Sequence, residues 1–234
     1  MIDIKTAFSE VYKKKSWGKG SGYGSNQFAA VKYIAMTKKL MRDLGISSIV
    51  EIGCGDFQIM KNVVDGSIQY TGYDVVSSLI QSNNTLHGAK NIEFIDFTDY
   101  QELKNGDLLI IKDVLQHLPI NENLRMLSSI HNYKYVLVTN CIGHRKSTIV
   151  NREVKPGEFT NIDLTANPYS LEVIEVLRWR APIRSILLPD LSIKSFFACP
   201  LVFLAMLERI ILSHLRQNFD DYPIWVKSSV LISK

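Results

Sequence analysis

Ile49-Val50-Glu51-Ile52-Gly53-Cys54-Gly55-Asp56-Phe57 reads as a short buried strand with an acid near its end, running into a glycine-rich turn. The residues that follow, Gln58 to Val64, are patterned for a helix. Two glycines one residue apart let the backbone turn tightly and approach a ligand without interference from a Cβ atom. A helix N-terminus behind them would offer free N–H groups and the positive end of a dipole. Such a turn is a cofactor cradle, and its details decide which cofactor it holds.

A dinucleotide fingerprint would read G-x-G-x-x-G, with a pyrophosphate on the helix N-terminus. Here Gln58 stands at the third glycine position, and Glu51 precedes the first glycine by two residues. A carboxylate there repels a pyrophosphate but attracts an ammonium or sulfonium group. S-adenosylmethionine carries both, together with a carboxylate that can take backbone N–H groups. The stretch resembles motif I, E/D-x-G-x-G after a strand, of class I S-adenosylmethionine-dependent methyltransferases.

The next segments arrive at the spacing this resemblance requires. Tyr70 to Val76 is a second apolar strand ending in Asp74, about 20 residues beyond the turn, where a Rossmann-like sheet places an acid for ribose hydroxyls. Asn91 to Phe97 alternates like a strand and ends in Asp96-Phe97. The family uses an acid there for the adenine amino group and an apolar neighbour for the ring face. Asp107 to Pro119 supplies a fourth strand with a polar exit, Lys112-Asp113-Val114-Leu115-Gln116-His117. The cofactor contacts the resemblance implies are therefore Glu51, Gly53, Cys54, Gly55, Asp74, Val75, Asp96, Phe97, Lys112 and Asp113.

Strands alternating with helical segments argue for a parallel α/β sheet. Helices are expected at Gln27 to Leu44, Ile59 to Val64, Val76 to Asn83 and Asn121 to Ile130, and a fifth strand at Tyr135 to Asn140. Ser185 to Pro189 and Ile224 to Ile232 are expected to form the last strand pair. The resemblance implies a Rossmann-like α-β-α sandwich around a seven-stranded, mostly parallel sheet of order 3-2-1-4-5-7-6 with an antiparallel last strand. One domain over 1–234 is the economical reading, with 1–26 covering the cofactor and 141–184 inserted on the substrate side.

Composition sets further bounds. A chain of 234 residues, 46% hydrophobic and 21% charged, can build one sizeable core. The net charge of +4 has no dominant basic run, and Lys13-Lys14-Lys15 reads as a solvated face, which argues against a nucleic-acid partner. The tetrads N-P-P-Y and D-P-P-Y of DNA N-methylation are absent from the fourth strand's exit. Cys54, Cys141 and Cys199 are too scattered for a zinc site or a disulfide frame. Phe196 to Leu207 is an apolar run of twelve, whereas a membrane span needs ~20 residues. It reads as a buried last helix, with a dimer interface or a membrane-surface contact as the other two readings. Without a signal-peptide shape at the start, the expected location is the cytoplasm, peripheral to the membrane if that run touches lipid. The expected state is a monomer or homodimer.

The N-terminal stretch Phe8 to Ser25 joins a short helix to Trp17-Gly18 and Ser21-Gly22-Tyr23-Gly24-Ser25. Read with Asp113-Val114-Leu115-Gln116-His117-Leu118 and Val138-Thr139-Asn140, it is similar to small methyltransferases encoded in surface-polysaccharide and glycan gene clusters. That resemblance covers roughly residues 8 to 170. It implies methyl transfer to a sugar hydroxyl of a small molecule, a lipid-linked oligosaccharide or a glycan, with S-adenosylhomocysteine as the product. Trp17, Tyr23 and Ser25 are expected to close over the cofactor.

A sugar hydroxyl is a weak acid, so a general base or a divalent metal would assist its attack. His117 is the expected base, at the mouth of the fourth strand where open α/β sheets bind ligands. Asp113 would orient it, touch the acceptor or hold a cation. Asn140, His144 and Asp163 are expected to face the acceptor, and Asp113, Asp163 and a histidine are a chemically feasible metal set. Two other readings are a phosphate-type or amine acceptor, served by Lys112, Arg145, Lys146 and Arg152, and a cofactor-binding protein without catalysis.

Overall fold

The computed structural model describes residues 3–18, 20–22, 30–142, 149–181 and 225–233, with only the backbone for 180, 181, 225 and 226. All of them belong to one compact unit, Met1–Ala181 with Trp225–Lys234. The expected strand at Ser185 to Pro189 and the apolar run at Phe196 to Leu207 lie outside the described residues, as do Tyr23, Ser25 and His144.

Seven strands form one sheet: β1 (Ser48–Ile52), β2 (Gln69–Asp74), β3 (Ile92–Asp96), β4 (Leu108–Lys112), β5 (Tyr135–Ile142), β6 (Ile174–Ala181) and β7 (Trp225–Ser233). Their order is β3-β2-β1-β4-β5-β7-β6, as expected from the sequence. The first five run parallel, and β7 lies antiparallel between β5 and β6. The central strands are near-continuous apolar runs because both faces are covered, as parallel sheets require. Alternate residues divide between the faces. Ile49, Leu108, Ile110 and Leu137 pack with Tyr33 and Met41, whereas Val50, Ile52, Leu109, Ile111, Val136 and Val138 pack with Met126.

The helices follow from local signals. α1 (Ile4–Lys13) is capped by Asp3, whose carboxylate accepts the Thr6 N–H at 3.3 Å. α2 (Val31–Leu44) buries Tyr33, Thr37 and Met41 at four-residue spacing and stops at Gly45, which takes the left-handed conformation of a helix end. α3 is Ser77–His87 and α4 is Ile120–Ser129. Among the described residues no helix is long and apolar enough to cross a membrane.

Two expectations are corrected. The segment Gln58 to Val64 forms only a three-residue 3-10 turn, Met60–Asn62. Phe57 takes a left-handed φ of 58°, and Asp65 accepts the Ser67 N–H at 2.9 Å, so turn geometry confines the helix from both sides. The glycine turn thus lacks a full helix dipole behind it. The sixth strand is Ile174–Ala181, wholly inside the segment 141–184 read as a substrate-side insertion. A bulge between Glu175 and Leu177 shifts the side-chain phase, and charged residues populate this sheet edge, so the alternation is broken.

Candidate functional site

A cavity of about 620 Å³ opens at the carboxyl ends of β1, β2 and β4, under the strap formed by α1 and the residues after it. That is where open α/β sheets place their ligands, and the size suits a nucleoside-sized molecule. The glycine turn forms one wall. Gly53 has φ 74° and Gly55 φ 54°, a region costly for other residues. A Cβ on Gly53 would collide with Val114 Cγ2, and one on Gly55 with Ser21 Oγ. Both positions therefore leave no room for a side chain, because Val114 and Ser21, which also line the cavity, pack directly against the turn.

Two buried carboxylates flank this turn. Asp74, the last residue of β2, accepts the Gly55 N–H at 3.0 Å and the Val76 N–H at 2.9 Å. Burial pushes its pKa up to about 6, against the pull of those backbone bonds. Glu51 is 5% exposed and accepts the Tyr70 hydroxyl hydrogen bond. Burial raises its pKa to about 7, although the Tyr70 bond and nearby Lys112 act the other way. Both groups are carboxylates short of positive charge. Over the whole cavity six carboxylates (Asp3, Glu51, Asp56, Asp74, Asp113, Glu122) face four Lys or Arg residues (Lys5, Lys112, Arg125, Lys227). A cationic ligand with hydroxyl groups matches this surface.

The N-terminal strap is latched to the turn. Ser21 Oγ donates to Asp56 Oδ1 at 2.8 Å and accepts the Asp56 N–H at 3.0 Å, while the Ser21 N–H reaches Asp56 Oδ2 at 3.2 Å. Tyr12 OH joins Ser21 Oγ at 3.0 Å, which ties α1 to the same point. A net hydrogen bond is worth about 1 kcal/mol. Ser21→Ala is accordingly expected to speed amide exchange in α1 by about tenfold, read by hydrogen–deuterium exchange of the free protein. Unchanged α1 exchange would show that this latch does not hold the strap.

The exit of β4 carries the densest charge. Asp113 takes φ 58°, a strained conformation of the kind that concentrates at functional sites. Its Oδ2 is held by the ammonium groups of Lys112 and of Lys227, the latter at 2.5 Å. The two cations hold the Asp113 carboxyl far below the usual carboxylate range although burial opposes them. Burial also lowers the Lys112 pKa, partly offset by Asp113.

His117 stands on the next turn, its ring 4.7 Å from that of Trp17 and 5.8 Å from that of Phe159. Its Nδ1–H donates to the Glu158 carbonyl at 2.8 Å. Gln116 Oε1 accepts the Cys141 N–H at 2.8 Å, which turns its amide nitrogen toward His117 Nε2 at 3.2 Å. Nε2 is therefore the atom with a lone pair. Burial lowers the His117 pKa, so the ring is neutral at pH 7.

Of the residues expected from the sequence, Trp17, Glu51, Gly53, Cys54, Gly55 and Asp74 line this one cavity, and so do Val75, Phe97, Lys112, Asp113 and His117. Three others do not. Asp96 is exposed at the end of edge strand β3, with Phe97 entering the cavity in its place. Asn140 is buried within β5 opposite Ser228. Asp163 turns back on its own loop, accepting the Thr165 N–H at 2.9 Å and the Thr165 hydroxyl at 2.7 Å. The feasible metal set of Asp113, Asp163 and a histidine is not assembled by the described residues, among which no group of three His, Cys, Asp or Glu side chains is placed to hold an ion.

The sequence reading missed Ser21, Asp56, Glu122 and Lys227. For Lys227 a signal existed: Lys227, Ser229 and Leu231 share the buried phase of β7, and a lysine on that phase needs a partner. Glu122 lines the cavity from α4, accepting the Tyr100 hydroxyl at 2.7 Å and pairing with Arg125 at 3.1 Å.

No protein-family model matches the chain. No curated protein matches it by sequence. Among solved structures, the chain is similar to coclaurine N-methyltransferase bound to N-methylheliamine and S-adenosylhomocysteine. The TM-score is 0.50 at 15% identity, covering 86% of this chain and 70% of that one. The fold is a Rossmann-like methyltransferase fold. Other structural neighbours are the methyltransferase domain of bacterial CtHen1-CN (TM-score 0.44, 15% identity, 49% of this chain and 67% of that one) and mitomycin 7-O-methyltransferase MmcR. For the latter the TM-score is 0.40 at 21% identity, covering 48% of this chain, which spans only 37% of the length of that protein.

Proposed function

We infer that this protein is an S-adenosylmethionine-dependent O-methyltransferase whose acceptor is a sugar hydroxyl in glycan or polysaccharide biosynthesis. The observation that carries the cofactor reading is the pair of side-chain-free turns at Gly53 and Gly55, flanked by buried Glu51 and Asp74 inside an acidic cavity. Glu51 would face the cationic end of the cofactor, and Asp74 its ribose hydroxyls. Phe97 would lie against the adenine. S-adenosylmethionine supplies an electrophilic methyl group on sulfur. The sugar acceptor is supported by the Trp17-Gly18, Ser21-Gly22 and Asp113 to Leu118 resemblance.

The chain's own residues divide the work. Asp113, locked in its ionised form by two lysines, is too weak a base to take a proton but accepts a hydrogen bond well. His117 is neutral, and its Nε2 lone pair, which accepts the Gln116 amide N–H in the free protein, takes the hydroxyl proton as the oxygen attacks once the acceptor displaces that bond. Trp17 and Phe159 pack against the ring and help to hold it.

Glu51 makes cofactor binding depend on pH. A cation stabilises its ionised form, so binding drives off the proton that burial retains. Affinity for S-adenosylmethionine should rise about tenfold between pH 6 and pH 8, and Glu51→Gln should flatten that rise, both read by calorimetry. In the free protein the sign is opposite. A raised folded pKa gives stability below the ordinary value of 4.5 that is lost as pH climbs through about 7. The melting temperature of the free protein should fall across that window, and less so in Glu51→Gln.

The reading is tested by incubating the protein with labelled S-adenosylmethionine and a panel of nucleotide sugars and oligosaccharides, with and without EDTA. Label recovered as a methyl ether supports it. Label recovered only on a phosphate or an amine overturns the sugar assignment and leaves the methyltransferase.

A further inference from the structure

Lys227 lies on β7, in a stretch for which neither sequence motif nor resemblance assigns a role. Its side chain is 2% exposed, among the most buried in the protein, yet it lines the ligand cavity. A buried ammonium is costly unless paired, and the partner it reaches is Asp113 Oδ2 at 2.5 Å, from the far end of the chain. Lys112 grips the same oxygen. The other oxygen, Asp113 Oδ1, is buried without any hydrogen-bond partner in the protein. An ionised carboxylate oxygen left in that condition is costlier than an unpaired neutral one. Replacing a buried ion group of this kind by apolar side chains is often neutral or stabilising. The arrangement therefore makes little sense as a stability device and much more as a prepared acceptor.

We propose that Lys227 is a positioning residue for methyl transfer: with Lys112 it pins Asp113 by Oδ2, leaving Oδ1 as an ionised oxygen without a protein partner, which takes the hydrogen bond of the hydroxyl to be methylated when the acceptor enters the cavity. The carboxylate cannot rotate without breaking both ion pairs. Asp113 sits at the end of β4, between the β1–β2 half that carries Glu51 and Asp74 and the β5–β7 half that carries Lys227. Asp113 thus lines the same cavity as Glu51 and Asp74, over which the cofactor would lie, with His117 four residues on to take the hydroxyl proton. This rests on the methyltransferase reading. The titratable groups that face Asp113 are Lys112 on its own strand, Lys227 of β7, His117, Cys141 of β5 and Tyr33 of α2.

The test uses the full chain labelled with 13C-carboxyl aspartate, the Asp113 signal being the one lost in Asp113→Asn. The wild-type signal is expected to stay that of a carboxylate from pH 8 to pH 4. In Lys227→Met its midpoint should move up by at least one pH unit, and Lys227→Arg should restore the wild-type behaviour. Binding of S-adenosylhomocysteine, measured by calorimetry, should stay within about threefold in all three proteins. On any acceptor that the panel returns, kcat should fall at least 30-fold in Lys227→Met and recover in Lys227→Arg. An Asp113 signal that titrates identically in wild type and Lys227→Met overturns the proposal. If circular dichroism shows Lys227→Met unfolded, a wild-type Asp113 signal titrating between pH 4 and 8 overturns it instead, and a flat one retained in Lys227→Arg supports it. Failure of the methyltransferase reading looks different: the wild type then binds no S-adenosylhomocysteine, whatever Asp113 does.

Discussion

Asp113→Asn is expected to lower the melting temperature by about 10 °C and to stop methyl transfer. Asparagine tolerates the left-handed backbone that Asp113 adopts at φ 58°, so strain does not change. What changes is charge. The ammonium groups of Lys112 and Lys227 would face a neutral amide inside the protein, and removing one partner of a buried ion pair costs about 3–5 kcal/mol. In a chain of this size each kcal/mol moves the midpoint by about 2–4 °C. The sign with pH is a second check. Burial already holds Lys112 below its ordinary pKa, and loss of the Asp113 charge pushes it lower still, so the unfolded chain binds more protons. The deficit should therefore shrink as pH rises toward 10. Thermal melts of wild type and Asp113→Asn at pH 7 and pH 9.5 measure both. A variant as stable as wild type would mean that Asp113 does not neutralise the two lysines.

His117→Ala is expected to reduce kcat by about 10²–10⁴-fold, the usual contribution of a general base, with S-adenosylhomocysteine affinity changed less than about threefold. His117 is held neutral by burial, with Nδ1–H committed to Glu158 and the lone pair left on Nε2. Its pKa is below 6.5, so kcat at saturating cofactor should be flat above pH 7 and fall tenfold per unit once the ring protonates. The alanine variant should lose that acid limb. Saturating cofactor matters, because Glu51 titrates near pH 7 and would otherwise add its own pH dependence through binding. Full turnover in His117→Ala from pH 6 to 9 would remove histidine from the proton transfer.

The central architecture was legible because it is written in local patterns. Ile49 to Glu51, Tyr70 to Asp74 and Leu108 to Lys112 are short apolar runs, each ended by a residue with chemical meaning, and their spacing fixes a parallel sheet. Residues adjacent to those strand ends therefore reached the cavity as expected. Asp96 did not, since the sequence of an edge strand does not say which of two successive residues turns inward. Phe97, expected beside it, did. The helix expected from Gln58 stopped after one 3-10 turn because Phe57 and Asp65 impose turn geometry that an apolar spacing does not reveal. β6 escaped notice because its bulge breaks the alternation. Lys227 is the most instructive case. Its buried phase on β7 announces a need for a partner, but the partner lies 114 residues earlier, and only the antiparallel insertion of β7 beside β5 brings the two together. Among the described residues Ser21 fastens the strap, because it meets Asp56.

The central claim is that the cradle of Gly53 and Gly55, with Glu51 and Asp74, holds S-adenosylmethionine. Calorimetric titration of the folded wild-type protein with S-adenosylhomocysteine at pH 7.5, with NAD as the comparison, tests it most directly. One molecule of S-adenosylhomocysteine bound per chain, and no detectable NAD binding, is the expected result. No heat with S-adenosylhomocysteine, or equal affinity for NAD, would contradict it.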